Sequence, residues 1–272
     1  MPTDIAVICP VFGLRFTHFY NAPKNYDSFI FTNNPSIKPI IEKAGWKYVF
    51  VDMPLTDDDL ISTMQSKYVK FLQFLNDKKF SDFKKYGRII HTDHKLELKD
   101  RHIRKIVKIQ NKPVLQRNHR VKRTNIWQEV AGSMQQERYS QHARDMVDYI
   151  CKKIDQGYTD SCAAHQLCTN GLLSYHKPDN PKTRRFLSEV YNDGCETEIC
   201  QDQIIWFMVA QKYSDIIHVI DWHDLDIRWR DPAKSEWILP MILKLRRKDA
   251  HTILLLFGLI PFFKIKRKKP KI

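Results

Sequence analysis

His91, Asp93 and His94 place a carboxylate between two imidazoles in a short polar stretch. Such a set can ligate a divalent metal or hold a phosphate-bearing substrate. The segment reads as a buried strand running into an exposed acid. Arg88, Ile89 and Ile90 follow a turn signal at Gly87, and Leu96 and Leu98 resume alternation after the polar interruption. Polar side chains at strand ends are where α/β proteins put their chemistry. A strand closed by an ordinary solvated turn is the competing reading. Two more polar clusters fall at predicted element edges: His119, Arg123 and Glu129, and the pair Asp202-Gln203. Asp202 can serve chemistry or cap a helix, and Arg123 with Glu129 can be no more than a helix-surface pair.

The elements that must position these residues alternate. The continuous apolar run Ile5-Ala6-Val7-Ile8-Cys9 marks a central parallel strand, which Pro10 and Gly13 break into a loop. Phe29-Ile30-Phe31-Thr32 is a second such run, ended by Asn33-Asn34-Pro35. Residues 37–44 suit a helix closed by Gly45, and 46–51 a third strand. Residues 66–75 carry Tyr68, Val69, Phe71, Leu72 and Leu75 at helical spacing. Val114-Leu115 and residues 171–176 and 216–220 read as further strands. Residues 129–154 read as one or two helices ending at Gly157. Asn180 and Pro181 introduce a helix through Tyr191 that Asp193-Gly194 ends, and Asp202-Gln203 opens another through Ala210. This alternation predicts an α/β fold, a mostly parallel sheet flanked by helices.

Composition narrows the partners. A formal charge of +14 points to anionic ones: nucleotide, nucleic acid or acidic lipid. Eight glycines with no Walker-type or GxGxxG run exclude a glycine-rich phosphate loop. A 43% hydrophobic, 12% aromatic chain can bury a proper core, which excludes wholesale disorder. The six cysteines show no CxxC spacing, so a zinc site is disfavoured. The first residues lack a basic region followed by an apolar core, so the expected location is the cytoplasm, with reduced thiols.

The last segment differs in kind. Residues 253–263 are intensely apolar and directly precede Lys264, Lys266, Arg267, Lys268, Lys269 and Lys271. The run is too short to cross a bilayer and is broken by Gly258 and Pro261. An apolar wedge with a cationic cluster suits docking on an anionic membrane face; a core helix with a basic tail is the alternative. The expected division is therefore a domain over 1–235 and a membrane-docking segment over 236–272.

Short motifs run in order from about Ile5 to Tyr213: a strand ending in Phe12-Gly13, then Phe31-Thr32-Asn33, Gly45-Trp46, Lys67, His91 through Leu98, Arg123 spaced from Glu129, and Asp202-Gln203. In that order they resemble a glycosyltransferase-like family of nucleotide-diphosphosugar (GT-A) fold, formerly catalogued as a domain of unknown function. Its plant members act in Golgi polysaccharide synthesis, and its bacterial members often sit among surface-polysaccharide enzymes. The chain departs from the pattern in places. Asn33 replaces the acid of a Phe-Thr-Asp, His91-Thr92-Asp93 stands where the family has Trp-Ile-Asp, and Gln201 replaces the arginine of an Arg-Asp-Gln. His119 stands one residue further upstream than usual. Residues 256–266 resemble the ends of many bacterial lipopolysaccharide and capsule glycosyltransferases.

The resemblance implies transfer of a sugar from a nucleotide-diphosphosugar to a lipid-linked or surface-polysaccharide acceptor, on the inner face of the membrane. Negative charge then develops on the departing diphosphate and must be neutralised by a metal or fixed cations. By the resemblance, Asp93 would hold Mg²⁺ or Mn²⁺, with His91 or His94 assisting. Lys67, His119 and Arg123 would clamp phosphates, with Glu129 fixing Arg123 by a salt bridge. Phe12, Gly13 and Asn33 would contribute to the nucleotide-sugar site. Asp202, beside Gln203, would orient the acceptor hydroxyl or act as general base. A clean Asp-x-Asp is missing, which leaves metal dependence open. A metal-dependent nucleic-acid-binding protein or nuclease is disfavoured, because no nucleic-acid motif appears and much of the charge lies in the tail. A non-catalytic membrane adaptor is the third class.

Overall fold

Consecutive side chains of a strand point to opposite faces, so an unbroken apolar strand needs cover on both. The computed structural model shows this for the first strand. Ala6 and Ile8 pack into one core, while Val7 and Cys9 pack into another across the sheet. The structure describes residues 4–14, 19–119, 123–161 and 167–227, and three further strands at 243–248, 251–256 and 260–266.

Seven strands build the main sheet: β1 (Ile5–Pro10), β2 (Asp27–Thr32), β3 (Lys47–Phe50), β4 (Arg88–Thr92), β5 (Val114–Asn118), β6 (Cys168–His176) and β7 (Ile217–Ile220). Their order is β3-β2-β1-β4-β6-β5-β7. The pairs β1–β2, β1–β4, β2–β3 and β5–β7 are parallel, and β6 runs antiparallel between β4 and β5. The expected class, an α/β fold with a mostly parallel, helix-flanked sheet, is the one observed. The leading 3-2-1-4 order is also found at the centre of doubly wound α/β sheets. In such sheets ligands bind outside the carboxyl ends of the strands, where the order reverses. Here that point lies between β1 and β4, from which Phe12 and Asp93 emerge. Because β6 is reversed, its amino-terminal residues Thr169, Asn170 and Gly171 come to the same edge.

One face is covered by α1 (Lys38–Lys43) and α3 (Asp100–Ile109), through Ile41, Ile103 and Ile106. The other is covered by α2 (Asp59–Lys70), α4 (Ile126–Ser133), α6 (Ala143–Asp155), α7 (Pro181–Thr197) and α8 (Asp202–Ala210). In α8 every residue from Ile204 to Val209 is buried, as expected for a helix apolar all round.

Several boundaries differ from the sequence reading. Helix α2 starts at Asp59, not at 66, because the Asp58 side chain accepts from the Leu60 and Ile61 N–H groups. It stops at Lys70 because Leu72 takes φ 56°, and residues Gln73–Asn76 continue as a 3₁₀ turn. The stretch 129–154 forms three helices, with α5 (Glu137–Ser140) between α4 and α6. Asp193-Gly194 does not end α7. A Cβ on Gly194 would stand 3.4 Å from Ile205 Cδ1, so the glycine serves close packing on α8, and α7 runs on to Thr197.

The chain divides into two units, Met1–Trp229 and Arg230–Ile272. In the second, β8 (Leu243–Lys248), β9 (His251–Leu256) and β10 (Ile260–Lys266) form an antiparallel sheet in the order β10-β9-β8. Of the apolar run, residues 253–256 thus lie in β9 and 260–263 in β10, rather than in a core helix. Gly258 and Pro261 disfavour a helix, and the β9–β10 register shifts between Pro261 and Phe263. No helix among the described residues is long and apolar enough to cross a membrane.

Candidate active site

The sheet's carboxyl edge opens into a cavity of about 810 Å³, within the range of small-molecule sites. The loop after β1 gives it Phe12, the end of β4 gives His91, Asp93, His94 and Lys95, and the end of β5 gives His119. Further lining comes from Trp222 after β7 and from Thr169, Asn170 and Gly171 at the start of β6. Helix α2 adds Lys67 and Lys70, α4 adds Glu129 and Ser133, and the start of α8 adds Asp202 and Gln203, beside Arg123 and Gln201. Ten of the expected site residues therefore meet in one cavity. Gly13 and Asn33 stand behind it. The Asn33 side chain accepts from the Gly13 N–H at 3.0 Å and donates to Pro54 O at 2.8 Å and Gln65 Oε1 at 3.1 Å. It braces the loop after β1, and Gly13 takes φ +88° there with Ser62 and Thr56 hard against it.

Two helix ends carry the charge that shapes the floor. Lys67 and Lys70 occupy the last turn of α2, and Asp202 the first turn of α8. Each sign complements its own helix end. Lys70 Nζ and Asp202 Oδ2 meet at 2.5 Å, with both side chains largely buried. Burial alone would raise the Asp202 carboxyl, but Lys70 and Lys67 hold it below its ordinary range. Lys67 is 3% exposed and donates to Ile199 O at 2.8 Å. Burial lowers its ammonium to about 8, against the opposing pull of Asp202.

Asp93 closes β4, with its N–H on Gly171 O at 2.7 Å and its Oδ1 3.1 Å from His94 Nδ1. Against the upward push of burial, His94 and then Lys70 hold this carboxyl well below the usual range. His91 is 2% exposed, and its Nδ1 is enclosed without a hydrogen-bond partner. Burial, then Lys70, lowers it to about 3, so it stays neutral.

Arg123 and Glu129 are not a surface pair. They form an ion pair, and the Glu129 side chain is 3% exposed. Glu129 Oε1 also accepts from Gln201 Nε2 at 2.8 Å and Ser133 Oγ at 3.3 Å. Gln201 is thus a neutral donor to the carboxylate that fixes Arg123. Gly132 makes room for this arrangement, since a Cβ there would stand 2.6 Å from Arg123 Nη2.

The donor set does not fit a protein-held divalent metal. Among the described residues no group of three His, Cys, Asp or Glu side chains can hold an ion. The His91 Nδ1 is walled off, and Lys95 stands where an Asp-x-Asp pair would offer its second carboxylate. The ammonium of Lys70 projects its charge on Asp93 and His91. What the arrangement can do is hold an oxyanion among fixed cations, with ionised carboxylates beside it.

Sequence reading missed Lys70 and Trp222, and it gave Lys95 and Gln201 no role in the site. Lys70 carried a signal, lying three residues after Lys67 and so on the same helix face. Trp222 carried none. It is placed by the Asn118 side chain, which accepts its N–H at 2.6 Å, and by the buried Arg117 guanidinium, 3.7 Å from its ring centroid.

No family model matches the chain, and no curated protein matches it. Among solved structures it is similar to the apo form of mouse xyloside xylosyltransferase 1, with a TM-score of 0.41 and 11% identity, over 79% of this chain and 84% of that one. A likeness so distant carries nothing about substrate, which is read from the cavity.

Proposed function

We propose that this protein is a glycosyltransferase that takes a nucleotide-diphosphosugar as donor and a lipid-linked or surface-polysaccharide hydroxyl as acceptor. One observation carries the reading. At the reversal of strand order, where α/β sheets bind nucleotides, Lys67, Lys70, Lys95 and Arg123 converge on one cavity with ionised Asp93 and Asp202. The acceptor oxygen bonds to the anomeric carbon as the bond from that carbon to the diphosphate breaks. The cations receive the charge that moves onto the diphosphate. Asp202, held below its usual range by Lys70, is a better anchor for the acceptor hydroxyl than a base. The hydroxyl proton passes to the departing diphosphate or to solvent. Asp93 faces the same cavity and orients the donor through its hydroxyls.

Transfer or hydrolysis, followed across a panel of nucleotide sugars with purified protein, tests this. One donor is expected to turn over. The apolar and basic composition of 253–271 supports peripheral docking on an anionic membrane, since each basic residue near such a surface contributes about 1 kcal/mol. Cosedimentation with phosphatidylserine vesicles, and its loss when Lys264, Lys266, Arg267, Lys268, Lys269 and Lys271 are changed to Gln, is the expected outcome. Equal binding to neutral vesicles would contradict it.

A further inference from the structure

We infer that the diphosphate is neutralised by fixed side-chain cations, Lys70 foremost, and that the site requires no divalent metal. The inference rests on the donor class proposed above and deepens it. A metal that bridges protein and diphosphate needs carboxylate oxygens at the strand end. At the end of β4 the chain offers Asp93, and two residues on it places Lys95, a cation that would repel such an ion. Asp93 Oδ1 is already engaged by His94 Nδ1 at 3.1 Å, and the Nδ1 of His91 is enclosed.

Lys70 is built for the substitute role. Asp202 holds its Nζ from one side at 2.5 Å, which uses one of three N–H donors. The remaining donors belong to a side chain that lines the cavity together with Asp93 and His91. Lys70 therefore brings to the cavity a fixed positive charge of the kind that a metal would otherwise supply. Arg123, locked by Glu129, lines the same cavity and brings a planar guanidinium to it. When the bond from the anomeric carbon to the diphosphate oxygen breaks, its electron pair stays on that oxygen. Lys70 then meets the new charge with hydrogen bonds and need not transfer a proton.

Calorimetry on the full chain tests this, with inorganic pyrophosphate and the common ribonucleoside diphosphates as probes, in excess EDTA and again with Mn²⁺. The expected result is binding in EDTA within about threefold of that with Mn²⁺, and a loss of about tenfold or more in Lys70→Met that Mn²⁺ does not restore. Because Lys70→Met strands Asp202, the Lys70→Met/Asp202→Asn double variant is measured beside it, with thermal melts to confirm folding. Binding that appears only with metal, or Lys70 variants that bind as wild type does, overturns the inference. Its failure is distinct from failure of the donor reading. Pyrophosphate binding in EDTA without any nucleoside diphosphate binding upholds the cationic cradle and sinks the nucleotide-sugar reading. Metal-dependent nucleotide binding does the reverse, and no binding of any probe sinks both.

Discussion

Lys70 Nζ lies 2.5 Å from Asp202 Oδ2, which ties the last turn of α2 to the first turn of α8 across the floor of the cavity. The two side chains are 15% and 12% exposed, so neither charge is well solvated without the other. Changing Asp202 to Asn alone leaves Lys70 buried without its counter-charge. The expected cost is about 3 kcal/mol in urea unfolding. The Lys70→Met/Asp202→Asn double variant is expected to recover much of that loss. If the two single changes simply added, the pair would not be a coupled unit.

Gly132 controls where Arg123 points. A methyl group at Gly132 meets Arg123 Nη2, the far end of a flexible side chain, so Gly132→Ala is expected to displace the guanidinium and, by loosening its pair with the buried Glu129, to cost up to about 3 kcal/mol of stability. Diphosphate affinity should fall by about tenfold, the worth of one charge-assisted hydrogen bond. Calorimetry alongside a thermal melt separates the two effects. An unchanged affinity would show that Arg123 does not touch the ligand.

Affinity should also respond to alkaline pH through Lys67. Its ammonium is lowered by burial to about 8 in the free protein, and a bound diphosphate favours the charged form. Binding above about pH 8 therefore takes up a proton, and affinity falls as pH rises, by at most about tenfold per unit. A pH series on wild type and Lys67→Gln checks this, the variant being expected to give a flatter profile. Stability moves the other way. Between about 8 and 10.5 the unfolded chain holds the proton that the folded chain has lost. The cost of burying the ammonium is then relieved, and stability rises with pH across that window.

Much of the architecture was legible because apolar strands with two covered faces leave continuous runs. Residues 5–9 and 29–32 became β1 and β2 with nearly the expected ends. Helix limits were less legible where tertiary packing overrides local signals. Gly194 looks like a stop until Ile205 is seen against it, and the break after α2 depends on a left-handed Leu72. The site followed the same division. Strand-end residues such as Asp93 and His119 could be placed from sequence because the sheet dictates their edge. The partnership of Lys70 with Asp202 joins residues more than a hundred positions apart, through two helices whose mutual packing no periodicity reports. The same holds for Gln201, whose contact with Glu129 turns an apparent surface pair into a buried one.

Asp93 is the residue on which the donor reading turns. The most direct measurement is turnover and binding of a nucleotide-sugar panel by wild type and Asp93→Asn, which keeps the side chain's shape while removing its charge. At least one donor is expected to bind and to be hydrolysed or transferred by wild type. Asp93→Asn is expected to fold, with turnover reduced by about a hundredfold or more. If wild type binds no nucleotide sugar, or if Asp93→Asn turns over as fast as wild type, the account is contradicted.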